Sequence, residues 1–134
     1  MIPAHLFIAH FPVALLLTGA AADLAGAVVN DGRIRGFASA LLIMGGAFAL
    51  LAFLTGGGAL PAALARNPAG SPSLEAHQQL GAVGAWLLAG AAALRAAWAR
   101  KLDGARGWIA LGAAFGSAAL VTVLAVTGAT ISHR

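Results

Sequence analysis

The chain has 134 residues, 60% of them hydrophobic and 9% charged, with a net charge of +4 and no cysteine. A soluble domain carries about 25% charged residues, and so short a chain cannot hide this much apolar surface from water, so lipid is its natural solvent. The missing thiols exclude disulfides, thiolate metal sites and thioether-attached haem, and the few basic residues, set between apolar runs, report membrane orientation rather than nucleic-acid binding.

A membrane-spanning helix needs about 20 mostly apolar residues, and four segments meet that length. The first runs from about Pro3 to Val29. Its start, Met1-Ile2-Pro3-Ala4-His5, lacks the positive charge of a signal peptide; Thr18 to Ala22 loosely imitates a cleavage site, but the segment reads as an uncleaved helix. Asn30-Asp31-Gly32-Arg33-Ile34-Arg35 breaks it. The second span runs from about Gly36 to Thr55, the third from about Leu74 to Trp98 and the fourth from about Gly107 to Ile131. Between the second and third lies 56–73, with three consecutive glycines and Pro61, Pro68 and Pro72, which reads as a loop; Pro61 to Ala65 suits one or two surface turns.

The other two connections are short, which forces antiparallel neighbours. The expected fold is all-α: a single domain over 1–134, an integral membrane four-helix up-down bundle with both termini on the same, outer side. Arg33, Arg35, Arg95, Arg100, Lys101 and Arg106 fall on one side, Arg66 and Arg134 on the other. The positive-inside rule makes the first side cytoplasmic. The expected location is the bacterial inner membrane, with the termini periplasmic. Trp98 and Trp108 fall at the inner interface, as an aromatic belt or as ordinary packing. Gly112-x3-Gly116, Gly45-Gly46, Gly81, Gly84 and Gly90 allow close helix approach and would also leave room for a flat cofactor. Leu16 to Ala22 resembles Leu87 to Ala93 in composition, a weak sign of a duplicated hairpin.

Ionisable residues within spans are the functional candidates, because lipid penalises them. In an up-down bundle His5, His10, His77 and His133 all fall toward the outer end. His10 lies about 10 Å along its helix from Pro3, and His77 about one turn inside the third. If the first and third helices are diagonal, these two imidazoles face each other as an axial pair for haem b iron, with the small Gly81 and Gly84 beside the porphyrin. His5, His10, His77 and His133 together are the ligand set for copper or zinc. His5 and His10 stand about 140° apart on a continuous helix, unless Pro12 interrupts it. Glu75, Gln78 and Gln79 are candidate acceptors for an imidazole N–H, and Glu75 equally suits a first-turn acid. Asp23 lies in the inner half. A structural role is expected for it, pairing with Arg33 or Arg35 or, less favourably, a hydroxyl such as Thr55; no second buried ionisable group is read there. No nucleophile–base–carboxylate set or phosphate loop is visible.

The run His5-Leu6-Phe7-Ile8-Ala9-His10-Phe11-Pro12-Val13-Ala14-Leu15-Leu16, followed by Asp23-Leu24, resembles the opening of bacterial membrane proteins in domain-of-unknown-function family 2231. That family shows His-x4-His-Phe-Pro, a later Asp-Leu, a histidine opening the third helix, like His77, and one near the end of the fourth, like His133. Leu6 stands where the family often has proline, Gly56-Gly57-Gly58 lacks its acidic-aromatic pair, and Arg134 replaces a glycine-rich continuation. Relatives joined to redox domains imply haem. Three functions are therefore expected in order: a haem-b electron-transfer protein or subunit with a redox partner, a non-haem copper or zinc protein, and a cofactor-free accessory subunit of a larger membrane complex. The lipid bilayer is the common partner; a homo-oligomer is allowed and nucleic acid is not expected.

Overall fold

In the computed structural model, which describes the backbone of residues 4–66 and 71–132 and side chains mainly over 8–57 and 74–128, the chain forms four helices. They are α1 (Ala4–Val28), α2 (Gly32–Arg66), α3 (Ser71–Trp98) and α4 (Gly104–Ser132). Each contains a stretch long and apolar enough to cross a membrane: Ile8–Val28, Gly32–Gly57, Leu74–Trp98 and Gly104–Gly128. The protein is a multi-pass membrane protein. At most 33% of each stretch is buried within the bundle, so the remainder presents apolar side chains such as Leu54, Trp86 and Val126 to lipid.

The helices pack in a ring, α1 against α2, α2 against α3, α3 against α4 and α4 against α1, which leaves α1 and α3 diagonal. Direction alternates: the end of α1 meets the start of α2 and the end of α3, while His77 near the start of α3 meets Thr127 near the end of α4. The core is small and rich in alanine and leucine, with Leu16 and Ala20 of α1, Leu42 and Ala49 of α2, Leu88 of α3, and Ala114, Ala118 and Val121 of α4. Phe11 stacks on Phe48 with ring centroids 4.9 Å apart, tying α1 to α2 nearer the other end. Where α2 crosses α3, a Cβ on Gly46 would stand 2.5 Å from Ala92 Cβ and 2.8 Å from the Leu88 carbonyl. The missing side chain permits the crossing.

The turn between α1 and α2 follows from its residues. Asn30 takes a left-handed backbone, φ 53°, a conformation asparagine tolerates better than most side chains, and the Asp31 N–H reaches back to the Gly26 carbonyl at 2.9 Å, closing the helix end. Asp31 Oδ1 then accepts from the Arg33 N–H at 2.7 Å, capping the first turn of α2.

Two expectations about boundaries fail: the break drawn through Arg35, since α2 begins at Gly32, and the loop at 56–73. The 56–73 loop is largely helical: α2 continues through Gly56-Gly57-Gly58 and Pro61 to Arg66, and α3 begins at Ser71; only 67–70 lie outside the described residues. Glycine costs a helix about 1 kcal/mol per residue, and the helix nevertheless continues beyond the membrane-crossing stretch that ends at Gly57. The earlier start of α3 also takes Glu75 out of its first turn. Pro12 sits inside a continuous α1 and does not divide it.

Candidate functional site: a buried carboxylate between two guanidiniums

The densest polar cluster among the described residues lies at the bundle end formed by the end of α1 and the start of α2. Asp23 is fully buried, Arg95 is 4% exposed and the Arg35 side chain 14%. Arg95 Nη1 donates to Asp23 Oδ2 at 2.8 Å and Nη2 to Oδ1 at 2.6 Å, the two-pronged geometry in which guanidinium–carboxylate pairing is strongest. Arg35 Nε donates to Asp23 Oδ1 at 3.2 Å. Arg95 Nε donates to Ser39 Oγ at 2.9 Å, and that hydroxyl donates to the Arg35 carbonyl at 2.8 Å.

The remaining arms of Arg35 reach the last helix. Its Nη1 donates to the Leu102 carbonyl at 2.8 Å and its Nη2 to the Gly107 carbonyl at 3.2 Å. One network therefore ties α1 through Asp23, α2 through Arg35 and Ser39, α3 through Arg95, and the entry to α4. Two glycines seat it. A Cβ on Gly26 would stand 2.7 Å from Arg35 Cγ, and one on Gly107 would stand 3.2 Å from Arg35 Nη1. In lipid, ionisable side chains are held by pairing with one another and with carbonyls, and among the described residues no buried side-chain polar atom lacks a partner.

Of the sequence expectations for Asp23, the Arg35 pairing is present. Arg33 is exposed, and Thr55 donates to carbonyls of its own helix, Leu51 and Ala52. The expectation that no second ionisable group is buried there is corrected by Arg95. Its signal was depth: Asp23 lies five residues before the end of α1 and Arg95 three before the end of α3, so opposite charges sit about one turn inside the same bundle end.

Among the described residues the histidines do not form the expected centre. Among the described residues no group of three or more His, Cys, Asp or Glu side chains could hold a metal ion. The expectations of haem b on His10 and His77, and of copper or zinc on His5, His10, His77 and His133, are corrected on that ground. The reason is helix rotation. The inward side of α1 carries Pro12, Leu16, Ala20 and Asp23, and His10, about 160° around the helix from Pro12, is exposed. His77 turns toward α4: its Nδ1 lies 3.1 Å from Thr127 Oγ1, and a Cβ on Gly128 would stand 3.3 Å from its Nε2. The Thr127 hydroxyl also lies within hydrogen-bonding distance of the carbonyls of Val123 and Leu124. Gly84 makes no room for a flat group, since Leu124 fills the space, 2.8 Å from where its Cβ would be; Gly81 faces open space. Glu75, Gln78 and Gln79 are exposed. The side chain of His5 and the whole of His133 lie outside the described residues.

The chain belongs to the family described as predicted membrane protein, domain of unknown function 2231, which it matches over residues 1–134. No match was found among curated proteins or among solved structures.

Proposed function

We propose that this member of the family is a membrane scaffold: a four-helix unit locked at one end by Asp23, Arg95 and Arg35, which holds its place among other components of the bacterial inner membrane. The observation that carries the reading is that the network is closed on itself. Guanidiniums keep their charge in proteins, and here they surround the carboxylate and reach backbone carbonyls of the α4 entry. Such a cluster fixes geometry; it is poorly suited to passing protons.

Lateral attachment is supported by the outer face of α4. Gly45, Gly46 and Gly84 serve contacts inside the bundle, whereas a Cβ on Gly112 or Gly116 would meet nothing within 4 Å. A small outward face lets another helix come close in lipid, a second copy of the chain included. The excess of Arg and Lys at the network end supports a cytoplasmic position for it, with both termini outside.

Two measurements test this. Extraction in a mild detergent at native expression is expected to yield an assembly larger than the single chain; a lone chain under those conditions overturns the scaffold reading. Because the chain has no cysteine, single probes report orientation cleanly. Glu75→Cys is expected to react with an impermeant maleimide added outside intact cells and Lys101→Cys is not; the reverse pattern overturns the orientation.

A further inference from the structure

The seam between α3 and α4 is open near the network end. Ala91 and Trp98 on one wall face Ala113 and Ser117 on the other, with Leu16 and Leu42 behind them and Arg95 at the bottom. Alanines line both walls; the enclosed space between them is only about 20 Å³, and the rest of the seam is a groove open at the surface of the bundle. On α3 the lining runs from Leu88 to Trp98, about 15 Å of helix. That is the depth of one leaflet, half of a hydrocarbon core about 30 Å thick.

The end of the seam is cationic. Its walls are joined by the turn 99–103, which carries exposed Arg100 and Lys101; Arg106 is exposed in the first turn of α4, and Asp103 is the one carboxylate on this turn. Asp23 is shared by two guanidiniums, so the cluster beneath adds a further positive charge. Trp98 lies where an interfacial ring belongs.

We propose that this seam seats an anionic phospholipid of the leaflet at the network end, with one acyl chain between α3 and α4 and its phosphate at Arg100, Lys101 and Arg106. The apolar length fits an acyl chain, and the charge at its end complements a headgroup of net negative charge. The proposal does not depend on the scaffold role, because lipid retention and assembly size are read separately.

The test is native mass spectrometry of the full chain released from micelles containing dioleoyl phosphatidylglycerol or dioleoyl phosphatidylcholine. Phosphatidylglycerol is expected to be retained at least about tenfold better, with one lipid bound tightly. Arg100→Gln/Lys101→Gln/Arg106→Gln should bring it down to the phosphatidylcholine level, and Ala113→Leu, which fills the seam, should reduce it strongly. Equal retention of the two lipids overturns the proposal. So does retention that survives Ala113→Leu, which would mean surface attraction alone, or a dimer that Ala113→Leu dissolves, which would put a second copy in the seam. A readout without change to the seam uses phosphatidylglycerol brominated along its chains in Trp86→Phe/Trp108→Phe protein. Trp98 fluorescence should be quenched more by it than by brominated phosphatidylcholine; equal quenching overturns the proposal.

Discussion

Substituting Asp23 by asparagine keeps its shape and removes its charge. The carboxylate accepts two hydrogen bonds from Arg95, at 2.8 and 2.6 Å, and one from Arg35 at 3.2 Å. With asparagine, two guanidiniums remain at the end of a lipid-embedded bundle with no counter-charge, and the new amide presents donors to donors. Removing one partner of a buried pair costs about 3–5 kcal/mol. Arg95→Met is expected to cost less, because it leaves Asp23 and Arg35 balanced one to one. Its loss is four hydrogen bonds, two to Asp23, one to Ser39 and a long one to the Arg35 carbonyl, each worth about 0.6 kcal/mol in lipid, or roughly 2.4 kcal/mol together. Reversible unfolding in mixed micelles of dodecyl maltoside and sodium dodecyl sulfate, followed by circular dichroism, measures both. An Arg95→Met cost equal to that of Asp23→Asn, or an Asp23→Asn cost below about 1 kcal/mol, would refute the reasoning, since either means the charges are individually solvated.

Three further outcomes are expected from the same unfolding assay. Gly46→Val should cost about 1–3 kcal/mol by forcing α2 off α3, while Gly116→Val, facing open space, should change the stability of the isolated chain by less than about 0.5 kcal/mol; equal effects would contradict the helix rotations. Asp31→Ala should cost about 0.5–2 kcal/mol through the lost cap on α2, and Asp31→Asn should restore most of it. Thr127→Val should cost about 0.6 kcal/mol through the His77 hydrogen bond, and the cost should vanish in a His77→Phe background; an undiminished cost would place the bond elsewhere.

Hydropathy made the four spans legible, and Asn30-Asp31 was legible as the end of the first, but the cap that Asp31 gives α2 was not, and the break was drawn four residues too long. The antiparallel order of neighbours followed from the short connections. What did not follow was helix rotation. In a soluble helix the apolar stripe marks the inward face, but here the lipid side of α1 is as apolar as the core side, so nothing in the spacing showed that His10 turns out while Asp23 turns in. Their shared depth put His10 and His77 together on paper; their azimuth separates them. Arg95 was read as one more orientation charge because it lies near a helix end, and only its match in depth with Asp23 hinted otherwise. The 56–73 segment was misjudged because three glycines and Pro61 were taken as helix breakers, whereas α2 continues through them to Arg66.

The central claim is that Asp23 fastens both guanidiniums inside the membrane. Nitrogen-15 NMR of the arginine side chains, with the protein in lipid nanodiscs, observes this directly. The Arg95 and Arg35 Nε–H groups should give separate signals that exchange slowly with water, and both should shift on Asp23→Asn. Signals that average with the exposed arginines and ignore that substitution would contradict the account.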